Sequence, residues 1–264
     1  MSRTGFYTHP DCRKHEMGAG HPECPERLDA IHNRMLVTGL ADVLDQREAP
    51  LASLADIELA HDRWYVASLR GMSDRIAEEA AAGGPAYAQV DPDTAMNVHT
   101  WNAALRAAGA ALDATDAVIA GELENAFCSV RPPGHHATHN KAMGFCFLSN
   151  VAIAAKYALQ RHNLKRVAVI DFDVHHGNGT EDILAGDART LMCGIFQHPF
   201  YPYSGDRDPA SNMCNLPVAA YTRGMGIREL IELMWIPRLE ACPRWSSSAL
   251  ALTATATTTW GSWG

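Results

Sequence analysis

Three short apolar segments of the chain are predicted as buried strands. They are NAFCSV at 125–130, RVAVIDFD at 166–173 and TLMCGIFQ at 190–197. Each is a run of four to eight residues rich in branched, aromatic or other apolar side chains, a length and composition that favour a strand over a helix. The second segment ends in two aspartates, Asp171 and Asp173, and the histidines His175 and His176 follow, so polar chemistry gathers where that strand ends.

Longer segments between these strands are predicted as helices. In the first of them, Pro25 stands at the start and Leu28, Ile31 and Leu36 follow at helical spacing. The second holds one or two short helices, and the third is alanine-rich, which predicts a tightly packed helix. The predicted helices are 25–40, 56–84, 99–121, 147–162 and 223–241.

Strands that alternate with helices predict an α/β fold, a three-layer parallel sheet with helices on both faces. Neither an internal repeat nor a linker interrupts the pattern, which favours a single domain. Ligands in such folds bind beyond the carboxyl ends of the strands. Two histidine-rich loops follow predicted strands, RPPGHHATHNKAMG after residue 130 and DVHHGNGT after Phe172. The two loops are therefore expected to share one pocket.

The D-x-H pattern of Asp173 and His175 is the first candidate for chemistry. Spacing of two residues at a strand end places both side chains on one side, and an oxygen with a nitrogen donor suits a zinc-type ion. A catalytic zinc ion usually has three protein ligands and an open position for water. An isolated D-x-H is more often a polar cluster satisfied by helix caps and loops, so this motif alone does not decide the question.

The adjacent histidines His135 and His136 are the second candidate. Neighbouring side chains are expected to diverge, so the two rings are poorly placed to bind one metal together. A general base and a general acid flanking a metal-bound water is the better interpretation, with a carboxylate or amide orienting each ring. The competing interpretation is one packed histidine and one surface histidine.

Composition narrows the classes of partner. The net charge is −8 and the pI is about 5.9, which argues against direct nucleic-acid binding through a basic surface and suits a cationic substrate. Seven scattered cysteines without a CxxC motif indicate reduced thiols. The N-terminus lacks an apolar stretch, and no run reaches about 18 apolar residues. We therefore expect a cytoplasmic protein with no membrane contact.

Several long motifs, taken in order, resemble the zinc-dependent histone deacetylase family. RPPGHHAT, MGFCFLSNVAIAA and DFDVHHGNGT carry most of the resemblance, and GHPECPERLDAI, HDRWYVASL and VDPDT add to it. The pattern is similar to the class II branch and to bacterial relatives that include acetylpolyamine amidohydrolases. The match extends over residues 5–240, so residues 1–240 are expected to form a deacetylase-like catalytic domain with an arginase/deacetylase-like fold.

The resemblance implies a role for each candidate residue. Asp173 and His175 match two of three zinc ligands, and a K+ ion is expected at the backbone around them and Asp171. His135 and His136 match the tandem catalytic histidines, with His136 as the general base. The remaining matches are Asp171 behind His135, Asn178 behind His136, Gly144 with Phe145 as one wall of the substrate tunnel, Tyr201 as the opposite wall, and Asp93 as an acidic rim residue.

The implied reaction is removal of an acetyl group from a lysine-like side chain or an acetylated polyamine. Zn2+ polarises the acetyl carbonyl and lowers the pKa of its water, while the histidine pair moves the protons. Two aromatic walls bury a methylene chain and exclude bulk water. The choice between acetyl-lysine in a protein and a polyamine stays open, as does a homo-oligomer. For Phe145 and Tyr201, simple core packing is the alternative.

The C-terminal segment departs from the family pattern. The family's third zinc ligand, an aspartate in a segment resembling SAGFDxHRDDPLG, is missing, and so is a GGY tyrosine that binds the developing oxyanion. Residues 241–264 are instead rich in Ser and Thr and show no strand or helix period. We therefore expect an incomplete metal site, an incomplete fold that lacks its C-terminal part, and weakened activity.

A frameshift explains this tail. Codons for Ser-Ala-Gly-Phe-Asp-Gly-His-Arg-Asp-Asp-Asp-Met-Gly, read one base later, encode residues 249–260 of this chain. The shift would lie between about residues 240 and 244, in the gene or in its sequencing, and the metal aspartate would fall near Thr258. An unrelated low-complexity tail is the alternative.

Two other functions stay open at this point. An arginase-like hydrolase would have a related fold but a two-manganese cluster with several more aspartates. An inactive protein that binds acetylated ligands or partners without turnover would need neither the missing aspartate nor the tyrosine.

Overall fold

The computed structural model describes residues 3–241 and 249–254, and the chain divides into two compact units, residues 1–154 and 155–264. Among the helices in the described ranges, none combines the length and apolar character needed to cross a bilayer.

The first unit contains two small sheets. Its strands are β1 (Thr4–Thr8), β2 (Asp45–Glu48), β3 (Tyr87–Asp91), β4 (Thr94–Asn97) and β5 (Asn125–Cys128). Its helices are α1 (Asp11–Lys14), α2 (Glu26–Val37), α3 (Leu54–Ile57), α4 (Arg63–Ala81) and α5 (Thr100–Ile119). Strands β2, β1 and β5 form a parallel sheet in that order, and β3 pairs with β4 in an antiparallel hairpin.

Helix α5 covers one face of the parallel sheet through small side chains. Ala110, Ala114 and Ala117 pack with Tyr7 in a buried cluster. At Gly109 a Cβ atom would lie 2.0 Å from the Pro50 carbonyl oxygen, so only glycine permits the backbones to approach this closely. The alanine-rich sequence of α5 is therefore a packing requirement, and the predicted tight packing of this helix is confirmed.

The second unit is built on one parallel sheet. Helix α6 (Asn150–Arg161) crosses the division between the units and leads into it. The further elements are β6 (Arg166–Asp171), α7 (Asn178–Leu184), β7 (Thr190–Gln197), β8 (Met213–Val218), α8 (Gly224–Leu230), a π-helical turn (Ile231–Trp235), α9 (Ile236–Ala241) and β9 (Ala249–Ala254). The strand order is β8-β7-β6-β9, and all pairs are parallel.

The core of the second unit lies between β7, β8 and the C-terminal helices. Trp235 packs against inward-facing residues of both strands, including Ile195 and Leu216. Strand β7 is buried along nearly its whole length, as expected for a central strand of a parallel sheet covered on both faces. The predicted α/β class with parallel strands is confirmed.

Most predicted elements are found with shifted ends. One or two short helices were predicted within 56–84, and the structure has the 19-residue α4 there. The strand predicted over 166–173 ends at Asp171 because the chain turns there. Strand β2 could not be predicted, since its sequence DQRE is polar and takes its place through pairing with β1. Strand β8 contains Pro217, which weakens the strand signal.

Residues 249–254 of the C-terminal tail, whose sequence shows no strand period, form strand β9. Backbone pairing of β9 with β6 runs from Arg166↔Ala249 to Asp171↔Ala254, so a parallel ladder forms where the side-chain pattern did not indicate one. Residues 242–248 and Thr258 lie outside the described residues, and with them most of the predicted frameshift region.

Candidate active site

The tandem histidines of the first unit occupy the centre of a tight turn. The N–H of Ala137 donates to the Gly134 carbonyl at 3.1 Å, which leaves His135 and His136 as the two central residues. Both histidines are buried, and their ring centroids are 4.0 Å apart at 47°. The expectation that the two side chains diverge is wrong, because it assumed an extended backbone. In a turn, adjacent side chains can point to the same side.

The segment before the turn packs against the start of α6. Asn150 Nδ2 donates to the Pro132 carbonyl at 3.3 Å. A Cβ atom on Gly134 would lie 2.6 Å from the Leu148 carbonyl oxygen, so the chain passes against the start of α6 at a distance only glycine allows. The histidine turn is therefore built on a rigid base.

Arg131 anchors the other end of this segment in the protein interior. Its side chain is fully buried, and its guanidinium donates to both carboxylate oxygens of Glu23 and to the carbonyls of Cys12 and His15. Burial alone would raise the pKa of Glu23, but hydrogen bonds from His15 and Arg131 outweigh it and hold the pKa at about 2. The pair is thus ionised and saturated with hydrogen bonds.

Gly144 and Phe145 lie beside His136. A Cβ atom on Gly144 would come within 2.5 Å of the His136 ring, and φ at Gly144 is +55°. Both the close packing and the backbone conformation therefore require glycine here. Phe145 also has a positive φ of 69°. A bulky residue held in that conformation is uncommon and marks a locally over-determined backbone.

Thr94 and His21 hold Phe145 in place. The Phe145 N–H donates to Thr94 Oγ1 at 2.9 Å, and the His21 ring meets the Phe145 ring edge-on at 4.6 Å. Thr94 Oγ1 is also 2.9 Å from Asp93 Oδ1, so the predicted rim residue lies directly beside the predicted tunnel wall. The sequence-based site list omitted His21 and Thr94, although both lie in the motifs GHPEC and VDPDT that carried the resemblance.

In the second unit, a repeated local hydrogen-bond pattern brings together three polar residues of the DFDVH segment, Asp171, Asp173 and His175. Asp171 Oδ1 accepts the Asp173 N–H at 3.1 Å, and Asp173 Oδ1 accepts the His175 N–H at 2.8 Å. Each aspartate thus bonds the backbone two residues on, as in an Asx turn. The chain bends at the end of β6, and His175 Nδ1 lies 2.9 Å from Asp173 Oδ1.

These two side chains fit part of a zinc site. Asp173 is fully buried, and its Oδ2 has no hydrogen-bond partner among the residues that the structure describes. A buried carboxylate oxygen without a partner is costly unless a cation binds it. One carboxylate and one imidazole are suitable zinc ligands, but a complete site needs a third. Within residues 3–241 and 249–254, no group of three His, Cys, Asp or Glu side chains is gathered around a common point.

Aromatic residues after β7 pack on His175. The Phe200 ring stacks on the His175 ring at 4.9 Å and 14°, and the Tyr201 ring meets it edge-on at 6.1 Å. Phe200 was not singled out from the sequence. Asn178 is the first residue of α7, where its N–H donates to the His176 carbonyl at 2.8 Å. The predicted pairings of Asp171 with His135 and of Asn178 with His136 join different units and stay predictions.

Comparisons with known proteins identify relatives of this chain. The family model "Histone deacetylase domain" matches residues 21–243. The protein slr0245 of Synechocystis sp. is 39% identical over 232 residues, which cover 86% of this chain and 73% of that protein. The histone deacetylase-like amidohydrolase of Pseudomonas aeruginosa is 40% identical over 192 residues, covering 72% of this chain and 48% of the relative.

A solved structure extends the comparison to the fold. The crystal structure of the HDA15 HD domain matches 95% of this chain and 77% of its own chain, with a TM-score of 0.79 and 26% sequence identity. This match confirms the arginase/deacetylase-type fold, with parallel strands and helices on both sides. The family model covers most of the sequence and the relatives exceed 30% identity, so the chain belongs to the histone deacetylase family.

Proposed function

We propose that the chain is a zinc-dependent amide hydrolase that removes acetyl groups from a lysine-like side chain or an acetylated polyamine. The observation that carries the proposal is the Asp173–His175 pair. Its donor atoms lie 2.9 Å apart, and one buried carboxylate oxygen has no protein partner among the described residues. In a chain of the deacetylase family, these are the groups expected to hold Zn2+. A K+ ion at the backbone around Asp171 is part of the same proposal.

Zinc held by Asp173 and His175 would polarise the acetyl carbonyl and lower the pKa of water. His136 takes the proton from the attacking water, and His135 donates a proton to the leaving amine. Both rings are buried and 4.0 Å apart, so they can serve one reacting group without rearrangement of the turn. Asp171 and Asn178 orient the two rings and keep each in the required tautomer.

The aromatic residues select a straight alkyl chain. Phe145 with Gly144 on one side and Tyr201 on the other flank the methylene groups and exclude water from the scissile amide. Asp93 binds substrate N–H groups at the rim, a role supported by its contact with Thr94 next to Phe145. Net charge −8 favours a cationic substrate, a property that polyamines and lysine-rich segments share.

In this proposal Asp173 and His175 are two of three protein ligands, and no group of three His, Cys, Asp or Glu side chains is gathered among the described residues, which supports weak metal binding and slow turnover. This observation favours a second function, binding of acetylated ligands or partners without hydrolysis. The substrate-facing residues of the first unit do not depend on the missing ligand, so binding could persist without catalysis.

Acetate release separates the two functions. The full chain is assayed with added ZnCl2 against an acetyl-lysine peptide and against an acetylated diamine, with His136→Ala as the control. Zinc-dependent release that is lost in His136→Ala supports the hydrolase. Binding of either ligand with no release in any zinc concentration refutes the hydrolase and favours the binding protein.

A further inference from the structure

A buried histidine outside the predicted catalytic set links α7 to the loop after β7. His176 is 3% exposed and follows His175 directly. Its Nε2 lies 2.7 Å from Glu181 Oε2, and its Nδ1 lies 2.9 Å from Ser204 Oγ. We call residues 198–206 the aromatic segment, since they include Phe200 and Tyr201.

The direction of these hydrogen bonds follows from the donors available. Glu181 can only accept when ionised, and its pKa lies below the ordinary value because hydrogen bonds from His176 and Asn215 outweigh the rise due to burial. The His176 Nε2–H therefore donates to Glu181. The other ring nitrogen, Nδ1, then shares a hydrogen bond of 2.9 Å with the Ser204 hydroxyl, which can donate or accept. Ser204 thus has a defined partner rather than a rotating hydroxyl.

Asn215 and Gly205 complete the attachment. Asn215 Nδ2 is 2.7 Å from Glu181 Oε2 and 3.2 Å from the Gly205 carbonyl oxygen. Through Asn215, β8 therefore contacts both Glu181 of α7 and the aromatic segment. Gly205 has φ +86°, and a Cβ atom there would lie 2.7 Å from the His176 ring. The aromatic segment therefore lies directly against the His176 ring, with no room for a side chain between them.

The same segment reaches the candidate metal ligand at its other end. Phe200 stacks on His175, and Tyr201 meets that ring edge-on. His175 and His176 are adjacent, so the segment is attached on two neighbouring rings. The first contact is apolar, and the second is a hydrogen bond to Ser204. Loss of the hydrogen bond would remove the attachment to His176 and leave the segment held on this side by its ring contacts with His175.

We propose that His176 and Ser204 are positioning residues that hold the aromatic segment, and with it Tyr201, in the geometry needed to bind the substrate's alkyl chain. This inference rests on the proposed function for the role of Tyr201. Neither residue is assigned a contact with substrate. Their effect is to reduce the freedom of a segment that does contact it, so affinity for substrate should change more than the rate of the chemical step.

Ser204→Ala tests the proposal, with Ser204→Thr as the variant that keeps the hydroxyl and Thr222→Ala as the matched control. Thr222 Oγ1 donates to the Ala219 carbonyl at 2.7 Å in an exposed turn of the same unit. In the full chain, hydrogen–deuterium exchange of the peptide covering residues 198–208 should become faster in Ser204→Ala only. KM should rise about fivefold with kcat nearly unchanged, the loss expected from one hydrogen bond.

Unchanged exchange in Ser204→Ala overturns the proposal, and so does faster exchange with an unchanged KM. Faster exchange in Thr222→Ala overturns it as well, since a general loosening of the unit would then be responsible. If the wild-type chain releases no acetate, the proposed function fails, and the exchange comparison alone decides whether Ser204 holds the segment.

Discussion

Arg131 and Glu23 form a buried, two-fold hydrogen-bonded ion pair, with Nε 2.5 Å from Oε1 and Nη2 2.6 Å from Oε2. The two residues are separated by 108 positions in the chain, and both side chains are almost fully buried. Arg131 begins the segment that leads to the histidine turn, and Glu23 lies two residues after His21, which contacts Phe145. One ion pair therefore holds two parts of the candidate site together.

Substitution of Glu23 should destabilise the protein strongly. Glu23→Gln leaves the Arg131 charge buried without its counter-ion, at an expected cost of about 3–5 kcal/mol in the free energy of unfolding. Asp29→Asn removes half of an exposed pair with Arg13, whose side chains are 37% and 51% exposed, and should cost less than about 1 kcal/mol. Urea unfolding measures both, and equal effects would show that burial of the Glu23 pair is energetically unimportant.

The stability of the protein should fall at low pH because Glu23 becomes protonated. The pKa of Glu23 is lowered from 4.5 to about 2, so its contribution is complete above pH 4.5 and disappears as the pH falls toward 2. The difference in unfolding free energy between wild type and Glu23→Gln should therefore be constant near neutral pH and shrink below about pH 4.5. A difference that stays constant down to pH 3 contradicts an ionised, hydrogen-bonded Glu23.

Gly144 should be intolerant of any side chain. Gly144→Ala and Gly121→Ala both force a non-glycine residue to positive φ, +55° and +74°, at an expected cost of about 1–2 kcal/mol. At Gly121 the added Cβ meets nothing within 4 Å, whereas at Gly144 it overlaps the His136 ring. Thermal unfolding should therefore show a larger loss for Gly144→Ala. An equal loss in both variants would mean that His136 moves freely.

The chemistry-bearing residues could be predicted from the sequence because they lie in contiguous motifs. Asp173 and His175 are two positions apart in one motif, and His135 and His136 are adjacent in another. Contacts between distant segments could not be predicted. The Thr94 hydroxyl that binds the Phe145 N–H is 51 positions away, and no local period indicates such a bond. The geometry of the histidine turn was also missed, since side-chain direction depends on backbone angles that a pair of histidines does not reveal.

Weak local signals explain the strands that were missed. The polar sequence of β2 forms a strand only because β1 provides a partner, and β9 is defined by its ladder to β6. By contrast, the apolar run of β7 predicted its own limits, Thr190–Gln197, because a central parallel strand must be apolar on both faces. A buried strand can therefore be recognised from its apolar run, whereas the partner with which a strand pairs cannot.

The tail provides a prediction at the level of the gene. We propose that residues after about 240 are read in a shifted frame, since one base restores an aspartate-rich family motif over residues 249–260. Sequencing of the DNA through codons 235–265 and beyond should show an alternative frame that continues into a GGY-containing segment. Stop codons early in that frame would contradict the frameshift and favour an unrelated tail.

Zinc binding by Asp173 and His175 is the central claim, and metal titration of the full chain tests it most directly. Wild type should bind one Zn2+, and Asp173→Asn should bind it at least about tenfold more weakly. Mutation of a residue that only hydrogen-bonds a metal ligand usually lowers metal affinity by that factor, so loss of a ligand itself should lower it at least as much. Glu229→Gln, which alters an exposed carboxylate of α8, should bind as wild type does. Equal zinc affinity in wild type and Asp173→Asn, or no zinc bound by wild type, would contradict the account.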